Sequence, residues 1–415
     1  MINENDKAKN YIPSFDPLIP HPDHVNDPYK LYKEMRENAP VYRSPHGVII
    51  LSRAKEIALA LKDPGFGRGY FYFENMEKRL GSNIVKQPVY ASARNMMVMK
   101  DGEDHIRLRK MIIGEFNHKA INKIIPFIEK TMDSLIENAL QEKQFDIIKE
   151  IAYKLPSRVM CYMLGIPEKD WDKFGARTAN GSRALEPAPL SMIELSEQNK
   201  SVEESREYFR WLVNEKKENP GEDLTTLLMQ EHLKSQSITL DDVIDNLRMM
   251  FVGGQETTVN TIGNGLIALY RHPEQLNLIR KDHNLITPAV NEIIRFDSSV
   301  QMTPRQARQD LELNGIRIDA GETLLCIIAS ANRDEAVWDD ADNFDINRDF
   351  QPSFSFGGGP HRCIGAELAC TEAEIAISKI LQKMPSLTFD HENPDWLSGT
   401  VVFRGLNSLQ ATILG

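Results

Sequence analysis

Apolar positions recur with a helical period over most of the chain and with a period of two only in short stretches, so the pattern predicts a mainly α protein with a minor β part. The first 28 residues place Pro13, Pro17, Pro20, Pro22 and Pro28 among acidic residues and read as an extended lead-in. A short helix is expected over Tyr29–Asn38, then strand, turn and strand in Val41-Tyr42-Arg43, Ser44-Pro45-His46-Gly47 and Val48-Ile49-Ile50-Leu51. Helical periodicity dominates residues 103–233, in segments punctuated by Pro126, Pro156, Pro167, Pro187, Pro189 and Pro220.

The longest helical signal opens at Thr239, an N-cap residue type, with Asp241 and Asp242 in the first turn where acidic groups favour the positive helix end. It runs to Arg271, with Pro273 just beyond. At 1.5 Å per residue such a helix is about 48 Å long and crosses most of the molecule. A helix is expected over 288–296. Period two then returns in Leu311-Glu312-Leu313-Asn314-Gly315-Ile316-Arg317-Ile318, a hairpin turning at Asn-Gly. Residues 332–360 read as irregular, and a last long helix starts near Cys363 and reaches about Lys383. Although 415 residues alone suggest two or three domains, no repeat or linker separates these elements, and one large domain over 29–415 is expected.

Composition narrows the class. Hydrophobic residues at 41% and charged residues at 26% are the balance of an ordinary globular protein. A net charge of −11 argues against a general nucleic-acid binder, while leaving room for a local basic patch. The N-terminal residues are polar, so neither signal peptide nor membrane anchor is expected. The most apolar stretch, 249–270, is interrupted by Gln255 and Glu256, whereas a spanning helix needs about 20 mostly apolar residues. Four cysteines without regular spacing suit a reducing compartment, and the cytoplasm is expected.

The candidate chemistry centres on Phe354-Ser355-Phe356-Gly357-Gly358-Gly359-Pro360-His361-Arg362-Cys363-Ile364-Gly365. Its glycines let the backbone fold tightly and approach a flat ligand. A cysteine at a helix start is favoured as a thiolate by the helix dipole and by amide N–H groups, and a thiolate binds borderline metals. An isolated cysteine is more often a small buried hydrophobe. Neither Walker nor G-x-G-x-x-G spacing is present. Zinc shared by Cys363 and Cys370 is disfavoured, because seven helical residues separate two positions by about 10 Å.

Phe356-x-x-Gly359-x-x-x-Cys363-x-Gly365 resembles the haem-binding signature of the cytochrome P450 family. The resemblance implies haem b with Cys363 as the metal ligand, Phe356 against the haem and His361 facing a propionate. Three further segments arrive in the family's order. Glu292-Ile293-Ile294-Arg295, on its own an ordinary helix-surface pair, is similar to the Glu-x-x-Arg pair that locks the core behind the haem through Asn332-Arg333-Asp334 and Arg348. Gly253-Gly254-Gln255-Glu256-Thr257-Thr258 resembles the oxygen-activating kink of the long helix. Two glycines there cost about 1 kcal/mol each relative to alanine. That resemblance makes Thr257 the hydrogen-bonding alcohol, with Thr258 the weaker alternative, and Glu256 the proton relay. His105-Ile106-Arg107-Leu108-Arg109 places His105 and Arg109 on one helix face, where the family holds a propionate, with Arg107 as a candidate to face outward. Arg305 matches a further propionate-binding arginine.

Across the chain from about residue 27, the resemblance is to the soluble bacterial type. It implies a cytochrome P450-type domain whose long helix crosses over the haem, and a monooxygenase that inserts one atom of O2 into a C–H bond. No flavin or iron–sulfur segment is present, so electrons are expected from a ferredoxin or flavodoxin, docked near Arg362, Lys110 and Arg109. The pocket is expected from 66–100, 183–211, Met250, Phe251, 300–302 and 401–403. The Met- and aromatic-rich 66–100 segment, which includes Tyr70 and Phe71, reads as a mobile loop and suits a bulky apolar substrate such as a terpenoid, steroid or polyketide. Two other readings are a haem-thiolate peroxygenase or isomerase, against which Glu256-Thr257 speaks, and a non-catalytic helical binding protein with a structural cysteine.

Overall fold

The computed structural model describes residues 15–18, 25–69, 72–174, 183–235 and 237–414. Most of the expected lead-in, and Tyr70 and Phe71, lie outside the described residues. Of the lead-in, Phe15 is buried and meets Tyr32 edge to face at 6.3 Å between ring centroids.

The organising element is a 32-residue helix, Leu240–Arg271. Thr239 and Asp242 form a reciprocal cap: the Asp242 N–H donates to Thr239 Oγ1 at 3.0 Å and the Thr239 N–H to Asp242 Oδ2 at 2.9 Å. This crossing helix packs on Lys154–Met163, Met192–Glu218, Ile286–Phe296 and Ala366–Lys383. Gly265 allows two helices to approach closely at once, since a Cβ there would lie 3.0 Å from Cδ1 of both Ile293 and Ile377. The main hydrophobic core surrounds this helix, with Ile262, Leu266 and Leu269 buried.

The β part is small. A five-stranded sheet has the order Val41–Arg43, Ile49–Leu51, Thr323–Cys326, Thr303–Ala307, Phe66–Gly67. Only the Ile49–Leu51 and Thr323–Cys326 pair is parallel. A three-stranded sheet joins Gln144–Asp146, Gln410–Ile413 and Leu387–Phe389. The hairpin Leu311–Leu313 with Ile316–Ile318 turns through Asn314 and Gly315, both at positive φ, as its Asn-Gly signal predicts.

Three elements differ from the sequence pattern. Pro126 lies inside the helix His118–Ala139 rather than ending it. The buried face of Ile121, Ile128, Met132, Leu135 and Ile136 outweighs a proline cost of about 3 kcal/mol. Pro156 sits in the first turn of Lys154–Met163, where its missing N–H costs nothing. The 66–100 segment contains the helices Tyr72–Leu80 and Pro88–Ala93 rather than being a loop throughout. The helix expected from 288 begins at Ile286, and 332–360 is irregular as read. Among the described residues, no helix is long and apolar enough to cross a membrane.

Candidate functional site

The cysteine loop is shaped by its glycines, against protein rather than against open space. Gly357 and Gly359 adopt φ of 66° and 64°. A Cβ on Gly359 would lie 2.2 Å from the Leu61 carbonyl oxygen, so the loop is pressed onto the end of the helix Ala54–Lys62. The Cys363 N–H donates to the Phe356 carbonyl at 2.8 Å, closing the loop. Cys363 does not start the last helix, as its sequence context predicts. That helix is Ala366–Lys383, because the 3-10 turn Gly359–His361 and the Phe356–Cys363 bond hold the intervening backbone out of the α conformation.

The amide expected to favour the thiolate is present all the same, supplied by Gly365. Although its surface is accessible, Cys363 lies deep among protein atoms, whose desolvation pushes the thiol up, while Gly365 N–H, Arg362 and Arg109 oppose that shift. Cys161 and Cys326 are buried and Cys370 is half-buried, whereas Cys363 is exposed. Burial raises Cys161 and Cys370 to about 12 and Cys326 to about 11. Those three are inert thiols; Cys363 alone joins accessibility to electropositive neighbours. Among the described residues, no group of three or more His, Cys, Asp or Glu is placed to hold a metal ion. A metal at Cys363 must therefore bring most of its own ligands.

Beside the loop lies a cluster of histidines and arginines. His105 and Arg109 stand one turn apart on the helix Gly102–Ile112. The buried His105 ring lies 4.2 Å from that of His361, and Arg109 donates to the Arg362 carbonyl at 2.7 Å. Arg107, by contrast, pairs with the exposed Asp104. Arg305 is buried on Thr303–Ala307 and, among the described residues, bonds Thr303 Oγ1 and the Pro304 carbonyl. The neighbouring Arg68 bonds Thr303 Oγ1 at 3.1 Å, and its Nε has no partner. One carboxylate, Asp101, stands among them, accepting from the N–H groups of Arg68 and Gly69 and pairing with His361 at 3.0 Å.

Among the described residues, neither Arg68 nor Arg305 makes an ion pair. Burial lowers both, and the neighbouring Arg305 adds to the lowering of Arg68, to about 10, while Asp101 opposes the shift in each. Burial, with His361 and Arg109, lowers His105 to about 4. Buried cations without counter-charge are costly unless an anion is supplied. A ligand carrying carboxylates beside Cys363 removes that cost, and haem, which brings four nitrogen ligands and two propionates, fits both the lone thiol and the cations. The sequence motifs place His105, Arg109, Arg305 and His361 here. They do not reveal Arg68 and Asp101, which meet the others only through strand pairing of Gly67 with Gln306 and the Asp101–His361 contact.

On the crossing helix the two glycines have different surroundings. A Cβ at Gly254 would lie 2.7 Å from Met160 Sδ, while at Gly253 it would meet nothing within 4 Å. Thr257 Oγ1 donates to the Gly253 carbonyl at 3.1 Å, and Thr258 Oγ1 to that of Gly254 at 3.2 Å. Thr257 thus shares the open face with Gly253, whereas Thr258 is buried on the packed face. Glu256 is half-buried. The helix assignment runs unbroken through 253–258. Thr257, Thr258 and Thr261 each donate back to the carbonyl four residues earlier, a bond that favours bending of the helix.

Behind the loop, Glu292 and Arg295 form a buried two-point pair, with both bonds at 2.6 Å. Arg348 and the Asp345 N–H also reach Glu292. Arg295 donates to the carbonyls of Asn332, Ala341 and Asn343. Asn332 in turn accepts the Phe354 N–H and donates to Ser355, so the pair is wired to the start of the cysteine loop.

Comparison with known proteins agrees with this architecture. The cytochrome P450 family pattern matches residues 22–284 and 280–396. The chain is similar to putative cytochrome P450 133B1 of Xylella fastidiosa strain 9a5c, with 30% identity over 94% of this chain and 97% of that one. It is similar to a vitamin D(3) 25-hydroxylase of Pseudonocardia autotrophica, with 30% identity over 87% of each. In structure it resembles P450BioI, crystallised with an acyl carrier protein ligated to hexadec-9Z-enoic acid, at a TM-score of 0.83 and 29% identity, covering 94% of this chain and 99% of that one. The chain belongs to the cytochrome P450 family, and its class is that of the haem-thiolate monooxygenases.

Proposed function

We propose that the chain holds haem b through Cys363 and oxidises a C–H bond of a bulky apolar molecule with O2, in the cytoplasm, using electrons from a ferredoxin or flavodoxin. The observation that carries this is the accessible Cys363 thiol beside a cluster in which Arg68, Arg109 and Arg305 outnumber the one carboxylate, Asp101, which is itself paired with His361. When bound, haem supplies the activation of dioxygen by two electrons, with one oxygen atom going to product and one to water. Cys363, as thiolate, donates electron density to the iron. His105, Arg109, Arg305, His361 and Arg68 hold the propionates, and Phe356 packs against the ring. On the open helix face the Thr257 hydroxyl, its hydrogen on the Gly253 carbonyl, offers its oxygen as a hydrogen-bond acceptor at the oxygen-binding position, and Glu256 carries protons inward from solvent. Arg362, Arg109 and Lys110, on one surface near Cys363, offer positive charge to an acidic electron donor.

The buried apolar residues Met97, Met250, Phe251, Met302, Val401 and Phe403 support an apolar substrate, as does the name of the Pseudonocardia relative. The carrier-bound fatty acid in the P450BioI structure is the competing case. Titration of the haem Soret band with vitamin D3 and with free hexadec-9Z-enoic acid separates them. The proposal expects a low- to high-spin shift with the first at micromolar concentration; a shift with the fatty acid alone overturns the substrate class.

The proton-relay assignment has its own test. With vitamin D3 as probe, Thr257→Val is expected to lower product formed per electron consumed by about tenfold, diverting electrons to peroxide while leaving haem content unchanged. Unaltered coupling contradicts the assignment. It would also revive the peroxygenase reading, against which the Glu256–Thr257 pair stands.

A further inference from the structure

A strap leading into the helix Met192–Glu218 reaches across to the C-terminal loop. Arg183 ties the strap together through Glu194 at 2.7 Å and the carbonyls of Ala188 and Pro189, and Ser191 with Glu194 forms a capping box at the helix start. Within this turn the half-buried Glu186 carboxylate accepts from the Thr400 hydroxyl, from the Val401 N–H at 2.9 Å and from the Val402 N–H at 3.4 Å. Thr400 Oγ1 in turn accepts the Phe403 N–H. The loop so gripped is joined to the wall strand region, with Gln301 N–H donating to the Val402 carbonyl and Val300 bridging Phe403.

The rest of the strap's helix is attached differently. Its first turns pack through Leu195 and Val202 with Phe73, Val85, Val89 and Tyr90 in a small hydrophobic cluster, whereas Phe209, Leu212 and Val213 in its C-terminal half are buried in the main core. The cap formed by these segments is fastened to the crossing helix at Asp245, which is fully buried and accepts from Ser92, Asn95 and Arg206. Asp245 holds the cap from two sides at once. Glu186 holds only its far end, and it does so through exchangeable hydrogen bonds to one loop.

We propose that Glu186 is a positioning residue that latches this cap over the substrate pocket, with Asp245 as its fixed anchor, and so sets how fast bulky molecules enter and leave. The proposal rests on the haem-monooxygenase reading for the identity of the pocket. Burial raises the Glu186 carboxyl pKa against the opposing pull of its three donors and Arg183.

The test uses the holoprotein and two variants, Glu186→Ala and Thr400→Val. Backbone amide exchange at Val401 and Val402 is expected to accelerate about tenfold in each, since charge-assisted hydrogen bonds are lost or loosened. Stopped-flow binding of econazole, a bulky imidazole that ligates haem iron, should accelerate in association and dissociation by a similar factor. Association of carbon monoxide, small enough to need no opening, should not change. Unchanged amide exchange overturns the latch. Faster exchange with unchanged econazole rates, or equal acceleration for carbon monoxide, overturns its role in admission. If Glu186→Ala fails to fold, Thr400→Val decides by the same criteria. A wild-type chain without a thiolate-haem spectrum would contradict the haem reading alone, and the amide measurement would still decide the latch.

Discussion

Cys363→Ala is expected to abolish the thiolate signature of the haem and to lower oxidation by on the order of a thousandfold or more, without unfolding the chain. The loop geometry does not depend on the side chain. Its closure comes from the Cys363 backbone N–H on the Phe356 carbonyl and from Gly359 seated on Leu61. The side chains of His105, Arg109, Arg305, His361 and Arg68 belong to other segments or to other positions in the loop, so haem should remain bound, more weakly, through its carboxylates. Absorption spectroscopy of the purified variant checks both parts. A variant that keeps the thiolate spectrum, or that cannot be distinguished from wild type in turnover, contradicts the assignment.

The second large effect is expected at Glu292. Both it and Arg295 are buried, and the guanidinium fork meets the carboxylate at two points. Glu292→Ala leaves a charged group buried without its partner, and breaking such a pair costs about 3–5 kcal/mol. Arg295 retains three backbone carbonyl acceptors, which hold it in place and prevent its escape to solvent. The damage should pass through Asn332 to Phe354 and Ser355, so the variant is expected to lose haem as well as stability. Arg295→Lys should be nearly as harmful, because an ammonium cannot reproduce the planar fork. Urea unfolding together with haem content per chain measures this; a loss below about 1 kcal/mol with full haem content contradicts a buttressing role.

Much of the fold was legible because its signals are local. The ends of the crossing helix follow from Thr239, Asp242 and Pro273, all adjacent to the boundaries they set, and the Asn314-Gly315 turn is equally self-contained. Glu292 and Arg295 lie one helical turn apart, so their pairing is written in their spacing. What stayed hidden depends on distant segments. Pro126 is tolerated because of the buried face around it, which sequence punctuation does not weigh. Asp101 meets His361 across 260 positions, and Glu186 meets the 400–402 loop across 214 to 216. The glycines at 358 and 359 were legible as a tight turn, but the helix they press against, ending at Leu61 and Lys62, was not. Gly253 and Gly254 look alike in sequence; only the packing of Met160 on one of them separates an open face from a closed one.

The most direct test of the central claim is the difference spectrum produced by carbon monoxide on the dithionite-reduced protein. Cys363 as a thiolate ligand predicts a strongly red-shifted Soret band, lost in Cys363→Ala. A band typical of histidine or neutral-thiol ligation, or no haem band at all, contradicts it.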